Sequence, residues 1–210
     1  MESMRALLTK VPVVPVLSIT DEKYAVPLAQ ALVAGGLPVL EITLRTPVAL
    51  ACVEKIVRAV PEAIIGVGTC IQPAQVQAAA DAGAQFIVTP GTTDRLIAAA
   101  QSAHMPLLPG VTTASEVIRA TEAGFSLLKF FPAESAGGVA ALKAFSGPFS
   151  DVLFCPTGGI SRDNARDYLK QNNVICVGGS WFAPAELLKN ADWQAVQQLA
   201  EVALAFQENL

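Results

Sequence analysis

The segment LPVLEITL, residues 37–44, has the length of a β-strand and is apolar at nearly every position. Its apolar side chains do not alternate with polar ones, which is typical of a parallel strand covered on both faces. Seven further runs of this kind follow the same pattern, and the starts of successive runs lie 20 to 26 residues apart. The eight runs are residues 11–18, 37–44, 63–70, 85–90, 106–111, 126–132, 151–159 and 174–180.

Helical patterns occupy the intervals between these runs. Residues 21–36, for example, place apolar side chains on one face and end at a glycine pair, which suits a left-handed helix C-cap. Similar patterns cover residues 73–82, 94–102, 114–123, 136–145 and 162–171. Repeated strand–helix pairs predict an α/β fold, a (β/α)8 TIM barrel, with an open doubly wound sheet as the alternative.

No segment with the composition of a linker interrupts the repeat. We therefore expect a single domain over residues 1–210. Residues 1–10 form a lead-in segment, expected as a short helix that closes the bottom of the barrel. Residues 184–207 are expected to form a pair of C-terminal helices, because their apolar positions follow a helical period.

Composition and charge exclude several classes of protein. The chain is 52% hydrophobic and 15% charged, so it has enough apolar surface to fold rather than remain disordered. No apolar run approaches the ~18 residues of a membrane helix. The start of the chain, MESMR, does not resemble a signal peptide. The net charge is −4 without a basic stripe, which argues against nucleic-acid binding.

The cysteines are at least 18 positions apart, so no CxxC motif for zinc or redox chemistry is present. This spacing predicts reduced, structural thiols of a cytoplasmic protein. The cysteines are Cys52, Cys70, Cys155 and Cys176.

Two charged residues stand inside apolar runs. Glu41 interrupts the second run, where a period of two places Thr43 and Arg45 on the same face. Lys129 interrupts the sixth run and is the one lysine of seven within a strand-like segment. The second and sixth strands lie on roughly opposite sides of an eight-stranded barrel. Both side chains can therefore point inward and meet near the carboxyl ends of the strands, where active sites of this fold lie.

A lysine among apolar side chains supports two interpretations. One is a Schiff-base nucleophile, since burial and a second cation, Arg45, favour the neutral amine that attacks a carbonyl. The other is a structural residue that reaches outward or pairs with Glu41. Glu41 is correspondingly either a general acid/base or a counter-ion. The pattern of residues alone leaves both interpretations open.

Two glycine-bearing loops follow the last two strands. They are Pro-Thr-Gly-Gly at residues 156–159 and Gly-Gly-Ser at residues 178–180. Loops after strands seven and eight are the usual phosphate site of this barrel, where backbone N–H groups hold the anion. A single glycine pair is more often a turn, but two pairs at these positions predict a phosphate site. Such a site does not require an excess of basic residues, so it is compatible with the net negative charge of this chain.

Other candidate residues carry less information. Thr69 ends the third run and is either a ligand for a carboxylate or a turn residue. His104, the one histidine, precedes the fifth strand and is expected at the bottom of the barrel as a structural residue. With one histidine and no clustered carboxylates, the sequence predicts no metal site and no cofactor.

Six motifs, in this order, resemble one enzyme family. They are VVPV at residues 13–16, EITLRT at 41–46, GVGT at 66–69, KFFPAE at 129–134, CPTGGI at 155–160 and GGSW at 178–181. Together they are similar to the 2-keto-3-deoxy-6-phosphogluconate (KDPG) aldolases, a family also credited with 4-hydroxy-2-oxoglutarate (KHG) aldolase activity. The resemblance covers about residues 11–183. It implies a metal-independent class I aldolase of the Entner–Doudoroff pathway, on a (β/α)8 barrel and typically a homotrimer.

The resemblance also implies roles for individual residues. Lys129 matches the Schiff-base lysine, and Glu41 matches the general acid/base. The positions matched to substrate binding are Arg45 and Thr69 at the pyruvate carboxylate, Pro90 and Phe131 in the pyruvate pocket, and Thr157, Gly158, Gly159, Gly179 and Ser180 at the phosphate end. The implied substrate is thus a phosphorylated keto acid, with pyruvate as one product.

One departure from the family pattern is Cys70, where an aliphatic residue is expected, but no assigned role depends on it. The galactonate-specific relatives are expected to resemble this chain less, because they lack the arginine and the Phe-Pro-Ala-Glu stretch. Two other functions would use the same glycine loops: a metal-free phosphosugar isomerase, epimerase or cyclase, and a non-catalytic sugar-phosphate-binding protein. Neither of these needs a buried lysine beside Glu41.

Overall fold

The computed structural model describes residues 4–206. Within that range the strands β1 to β9 are Val13–Leu17, Val39–Thr43, Ile64–Gly68, Phe86–Val88, Leu107–Leu108, Gly110–Val111, Leu127–Phe130, Leu153–Pro156 and Val177–Gly179. The helices α1 to α10 are Met4–Leu8, Ala25–Ala34, Ala49–Ala59, Pro73–Asp81, Asp94–Ser102, Ala114–Glu122, Gly138–Ser146, Ala165–Leu169, Ala185–Lys189 and Trp193–Leu204. A short 3₁₀ helix, Glu22–Tyr24, precedes α2.

The strands pair in parallel and form two sheets that together make a barrel. Six strands follow the order β5-β4-β3-β2-β1-β9, and three follow the order β6-β7-β8. The predicted fifth strand is split at Pro109 into β5 and β6, one in each sheet, because proline has no N–H for the ladder. A parallel bridge between Thr157 and Gly178 joins β8 to β9. The (β/α)8 barrel is therefore confirmed, and the open-sheet alternative is wrong.

We call the two junctions between the sheets the seams. The first seam lies at Pro109, whose carbonyl accepts a hydrogen bond of 2.9 Å from the Lys129 N–H of the neighbouring sheet. The second seam lies between β8 and β9, at the bridge of Thr157 with Gly178. Both seams lie beside residues that the sequence analysis assigns to the site.

The barrel wall is covered on both faces, as the apolar runs predict. Every residue of β1 and of β2 is buried. Inside the barrel, Gly66 of β3 is paired with Phe86 of β4, and a β-carbon at Gly66 would overlap the ring of Phe86. Beside β3 and β4 the interior is therefore filled by packed side chains, as is typical of this barrel.

Several helix boundaries follow the sequence pattern closely. Helix α5 occupies the predicted residues 94–102. Gly83 and Gly124, just after α4 and α6, have φ angles of 87° and 90°, the left-handed conformation that a glycine C-cap requires. The helix α3 was not among the predicted patterns, although its buried positions, Cys52, Val53 and Ile56 among them, have helical spacing.

Helices α7 and α8 begin later than the sequence pattern predicts. Helix α7 begins at Gly138 rather than at residue 136, because Gly137 before it has a left-handed φ of 107°. Helix α8 begins at Ala165, three residues later than predicted. The preceding residues form a loop in which the Ser161 N–H donates to Asn164 Oδ1 at 2.8 Å.

The two terminal segments contain the expected helices. Helix α1 buries Leu7 and Leu8 and precedes the amino end of β1. Helices α9 and α10 follow β9 as a pair, and α10 packs against α2. Residues 1–3 and residue 207, which belong to the predicted segments 1–10 and 184–207, lie outside the described residues. Between residues 4 and 206, no helix has both the length and the apolar character needed to span a membrane.

Candidate active site

Strands β2 and β7 each carry one charged side chain into the barrel interior. Glu41 and Lys129 meet there, with Lys129 Nζ 3.1 Å from Glu41 Oε1 and 3.4 Å from Oε2. Each residue exposes only 3% of its surface. Burying either charge alone would be costly, and the ion pair offsets part of that cost. The predicted convergence of the two side chains is confirmed.

The neighbouring strand β3 leaves space for the Glu41 carboxylate. A β-carbon at Gly68 would overlap Glu41 Oε1, so a larger residue there would displace the carboxylate. On the other side, Thr43 lies two residues beyond Glu41 and is fully buried. Its hydroxyl donates to the Leu17 carbonyl of β1 at 2.9 Å, which fixes the end of β2.

Thr69 follows β3 and has a left-handed φ of 62°. This conformation is strained for a β-branched residue, by about 1–3 kcal/mol, and such strain is concentrated at functional sites. The next residue, Cys70, is fully buried. Burial, together with the negative charge of Glu41, raises the pKa of the Cys70 thiol to about 12. Cys70 is therefore an unreactive core residue, and Thr69 stays a candidate either for carboxylate binding or for a turn.

Phe131 follows β7 and lies beside the lysine. Its ring centroid is 5.5 Å from Lys129 Nζ. The same ring faces the loop after β8, because a β-carbon at Gly158 would lie 3.2 Å from its Cε2 atom. The hydroxyl of Thr112 donates to the Phe131 carbonyl at 2.5 Å and fixes this turn of the backbone. The structure thus brings Lys129, Phe131 and Gly158 together.

Pro90 lies one strand away from the lysine. Gly110 of β6 is paired with Lys129, and a β-carbon at Gly110 would lie 2.5 Å from the Pro90 carbonyl carbon. Two threonines that the sequence analysis missed hold this loop. Thr89 Oγ1 accepts a hydrogen bond of 3.0 Å from the Gly110 N–H and lies 2.8 Å from Thr92 Oγ1. The sequence signal for this clamp is limited to one hydroxyl near the end of an apolar run and another two residues after it.

The first glycine-bearing loop follows β8 at the second seam. Thr157 is buried, and a β-carbon at Gly178 would overlap its Oγ1 atom. Gly158 and Gly159 have φ angles of 100° and 76°, which glycine adopts without strain. The carbonyls of Thr157 and Gly158 accept hydrogen bonds from the loop after β7, at 2.8 Å and 3.0 Å. The loop is therefore fixed to the strand that carries Lys129.

The second glycine-bearing loop follows β9. Gly179 is buried, and a β-carbon there would overlap the ring of Trp181. Ser180 is exposed immediately after the strand. The two loops therefore lie side by side at the carboxyl ends of β8 and β9, as the sequence predicts.

Arg45 is the predicted site residue that the structure does not bring to the ion pair. Because β2 ends at Thr43, the period of two does not extend to Arg45, which lies exposed in the following turn. No contact joins it to Lys129 within the described residues, so its part as a second cation stays a prediction. The Leu44 N–H beside it donates to the Gly68 carbonyl at 2.9 Å. Arg45 and Thr69 therefore follow adjacent strands at the same edge of the barrel.

His104 lies at the other end of the molecule. It follows α5, precedes the amino end of β5, and has a left-handed φ of 51°. This position agrees with the structural role expected from the sequence.

The assembled site combines a buried amine, a carboxylate in direct contact with it, an aromatic ring and two glycine-bearing loops. An amine and a carboxylate at hydrogen-bond distance can exchange a proton, which nucleophilic attack of a lysine on a carbonyl requires. The fold itself does not decide the reaction, because (β/α)8 barrels support many chemistries.

Comparison with known proteins indicates which class of reaction this barrel supports. The family model described as KDPG and KHG aldolase matches residues 4–199. The KHG/KDPG aldolase of Escherichia coli K12 is 49% identical over 202 residues, which cover 96% of this chain and 95% of the relative.

Solved structures agree with this match. The KDPG aldolase of Legionella pneumophila, with pyruvate captured at low pH as a covalent carbinolamine intermediate, has a TM-score of 0.92 and 46% identity and covers 95% of this chain and 97% of its own. The 2-keto-3-deoxy-6-phosphogluconate aldolase of Zymomonas mobilis ZM4 with 3-phosphoglycerate has a TM-score of 0.90 and 44% identity, covering 95% of this chain and 94% of its own. By sequence and by structure, then, the chain belongs to the KDPG and KHG aldolase family.

Proposed function

We propose that this aldolase cleaves KDPG to pyruvate and glyceraldehyde 3-phosphate, and KHG to pyruvate and glyoxylate, through a Schiff base on Lys129. The observation that carries the proposal is the buried contact of 3.1 Å between Lys129 Nζ and Glu41 Oε1 in a chain of this family. A sugar-phosphate-binding protein gains nothing from burying this pair. A metal-free isomerase or epimerase needs no amine nucleophile, so neither alternative is favoured.

The first step is attack of the Lys129 amine on the C2 keto carbon of the substrate. Glu41, already hydrogen-bonded to Nζ, takes the proton that the ammonium must lose. The new N–C2 bond forms as the carbonyl π electrons move to oxygen, and a proton then passes from the nitrogen to that oxygen, giving a carbinolamine. Glu41 returns a proton to the carbinolamine hydroxyl, which leaves as water, and the nitrogen lone pair completes the iminium ion.

The second step breaks the C3–C4 bond. Glu41 removes the proton of the C4 hydroxyl, the C4 carbonyl forms, and the electron pair of the C3–C4 bond becomes the C2–C3 double bond of an enamine. The aldehyde leaves. Protonation of C3 and addition of water at C2 then release pyruvate and the free amine. General acid/base catalysis of this kind contributes about 10²–10⁴ in rate.

The remaining site residues would bind the substrate. The strain at Thr69 and its position beside Arg45 support a site for the pyruvate carboxylate. The ring of Phe131 beside Lys129 and the clamped loop of Pro90 support a pyruvate pocket. For the phosphate, the support is the pairing of the two glycine-bearing loops, with Thr157, Gly158, Gly159, Gly179 and Ser180 as the proposed contacts.

We further propose that residues 1–210 act as a single domain in a cytoplasmic homotrimer. The trimer rests on the family resemblance, and the cytoplasmic location rests on four cysteines that are free and buried. Light scattering of the purified protein measures the assembly directly. Since one chain has a mass of 21.9 kDa, a native mass of about three times that value is expected, and the mass of a single chain would contradict the trimer.

Borohydride reduction in the presence of pyruvate tests the Schiff base. The treated protein is expected to gain one pyruvyl-derived mass per chain, on the peptide that contains Lys129, and to lose activity irreversibly. Lys129→Ala is expected to abolish both labelling and turnover. This variant leaves the Glu41 charge unpaired, so its stability falls by about 3–5 kcal/mol, and circular dichroism checks that it still folds.

Lys143→Ala, at an exposed lysine of α7, is the matched control and should label and turn over as the wild type does. A label on a lysine other than Lys129, or no label at all, contradicts the assignment. Binding of KDPG without turnover would instead identify a binding protein.

A further inference from the structure

A buried tyrosine links the helix behind the phosphate loop to the loop that follows the lysine strand. Tyr168 of α8 is 1% exposed, and its hydroxyl donates a hydrogen bond to the Glu134 carboxylate. Burial and this bond raise the pKa of Tyr168, so the phenol stays protonated as the donor. The bond joins residues 34 positions apart in sequence, on either side of β8. None of the catalytic steps derived above uses either residue.

Glu134 is an exposed residue of the loop after β7, and it lies against the glycine-bearing loop after β8. Its backbone N–H donates to the Gly158 carbonyl at 3.0 Å. A β-carbon at Gly159 would lie 2.6 Å from both Cβ and Cγ of Glu134, so the side chain rests directly on the glycine. A β-carbon at Gly138 would lie 3.2 Å from the Tyr168 hydroxyl and 3.5 Å from Glu134 Oε1. Gly159 therefore packs against the aliphatic part of Glu134, and Gly138 lies beside the carboxylate and the Tyr168 hydroxyl.

The helix that carries Tyr168 is itself attached to the same loop. Asn164, just before α8, donates from Nδ2 to the Gly159 carbonyl at 3.2 Å. The Glu134–Tyr168 bond therefore connects the loop after β7 to α8, and Asn164 connects α8 to the glycine-bearing loop after β8. Neither Lys129 nor Glu41 takes part in the bond, so it can be removed without changing either residue.

We propose that Glu134 and Tyr168 are positioning residues that set the distance between the Schiff-base lysine and the phosphate loop, and so determine how strongly the phosphorylated substrate is preferred. This inference rests on the proposed function. A substrate bound covalently at Lys129 has one fixed end, and its phosphate reaches the loop only if the loop is held at the matching distance. Displacement of a binding group by about 1 Å can cost as much as ~10²-fold in rate.

The test compares two substrates in the Tyr168→Phe variant, which removes the hydroxyl and keeps the ring. We expect kcat/KM for KDPG to fall about tenfold or more, mainly through KM, while kcat/KM for KHG changes less than about twofold. Borohydride trapping of pyruvate should be unchanged. Glu134→Ala should reproduce the effect, whereas Glu134→Gln, whose amide oxygen still accepts from Tyr168, should retain wild-type preference.

Tyr24→Phe and Glu62→Gln are matched controls away from the site, and they should change neither substrate. If Tyr168→Phe lowers both substrates equally, or leaves KDPG unaffected, the proposal is overturned. Should Tyr168→Phe fail to fold, the test is the comparison of Glu134→Ala with Glu134→Gln. If these two variants show the same preference between KDPG and KHG, the proposal is overturned. Failure of the proposed function is recognised separately, because the wild type would then neither cleave KDPG nor trap pyruvate.

Discussion

Glu41 and Lys129 neutralise each other inside a barrel where neither charge would be stable alone. Their contact depends on a third residue, Gly68, because a side chain there would occupy the space of the carboxylate. Thr69 beside it holds a strained backbone. At the scale of single residues, the contact between Glu41 of β2 and Lys129 of β7 therefore depends on the missing side chain at Gly68 of β3.

Replacing Glu41 by glutamine keeps the size of the side chain but removes its capacity to accept a proton. For Glu41→Gln we expect kcat to fall ~10²-fold or more, because both proton transfers lose their acceptor. Borohydride trapping of pyruvate should persist at a lower rate. Steady-state kinetics measures the first effect and mass spectrometry the second. A kcat near that of the wild type would show that another group is the base.

Gly68→Ala places a methyl group where the Glu41 carboxylate lies. The carboxylate must move away from Lys129 Nζ, and we expect kcat to fall about tenfold or more. Gly147→Ala is the matched control, since the space around Gly147 admits a β-carbon and its φ is −67°. Unchanged kcat in Gly68→Ala would mean that the contact seen at 3.1 Å is not needed for turnover.

The buried Cys70 thiol is expected to make the folded protein less stable at alkaline pH. Burial, and then Glu41, raise its folded-state pKa to about 12, above its value in the unfolded chain. Its contribution to stability is therefore complete below the unfolded pKa, near 8.5, and is lost as the pH rises from there towards about 12. In Cys70→Val, the free energy of unfolding should fall less steeply between pH 8 and pH 10, by up to about 1 kcal/mol per pH unit. Urea unfolding in the presence of a reductant measures the free energy of unfolding at each pH. Identical slopes in the wild type and in Cys70→Val would show that Cys70 does not cause the loss of stability.

At the scale of elements, the loops at the carboxyl ends of the strands carry the proposed substrate contacts. The two glycine-bearing loops face each other across the second seam, and one of them is bonded to the loop after Lys129. Each proposed half of the substrate thus has its own set of loops. Changes at the phosphate end can therefore be separated from changes at the pyruvate end.

Ser180→Asp introduces a negative charge beside the proposed phosphate. We expect kcat/KM for KDPG to fall about ten- to a hundredfold, equivalent to about 1.5–3 kcal/mol, with a much smaller loss for KHG, which has no phosphate. Ser150→Asp adds the same charge at an exposed turn outside the site and should affect neither substrate. Equal losses on both substrates would show that the loop is only structural, and no loss would place the phosphate elsewhere.

The elements that the sequence predicted are those encoded by local patterns. Eight apolar runs determine the barrel, and a charge inside an apolar run is visible without a structure, as Lys129 is. Arg45 was misplaced on the strand face because the period of two holds only while the strand continues. The clamp of Thr89 on Gly110 could not be predicted, because it depends on residues 21 positions apart that only the closed barrel brings together.

At the scale of the whole molecule, the barrel consists of two sheets of six and three strands rather than one uniform wall. The split at Pro109 follows from the missing N–H of proline. Between β8 and the segment that contains β9, residues 4–206 show two isolated bridges, Phe154 with Val174 and Thr157 with Gly178. The proposed substrate site spans both sheets, since β2 and β9 belong to one and β7 and β8 to the other.

The seams have a consequence for how the enzyme fails when it is heated. Glu41 belongs to the larger sheet and Lys129 to the smaller one, so loosening at a seam separates the proposed nucleophile from its proposed base while each sheet keeps its own hydrogen bonds. Heat inactivation should therefore begin several degrees below the temperature at which the far-ultraviolet spectrum of helices and strands is lost. Loss of catalytic activity on heating should therefore report loosening of the barrel at its seams, before the secondary structure is lost.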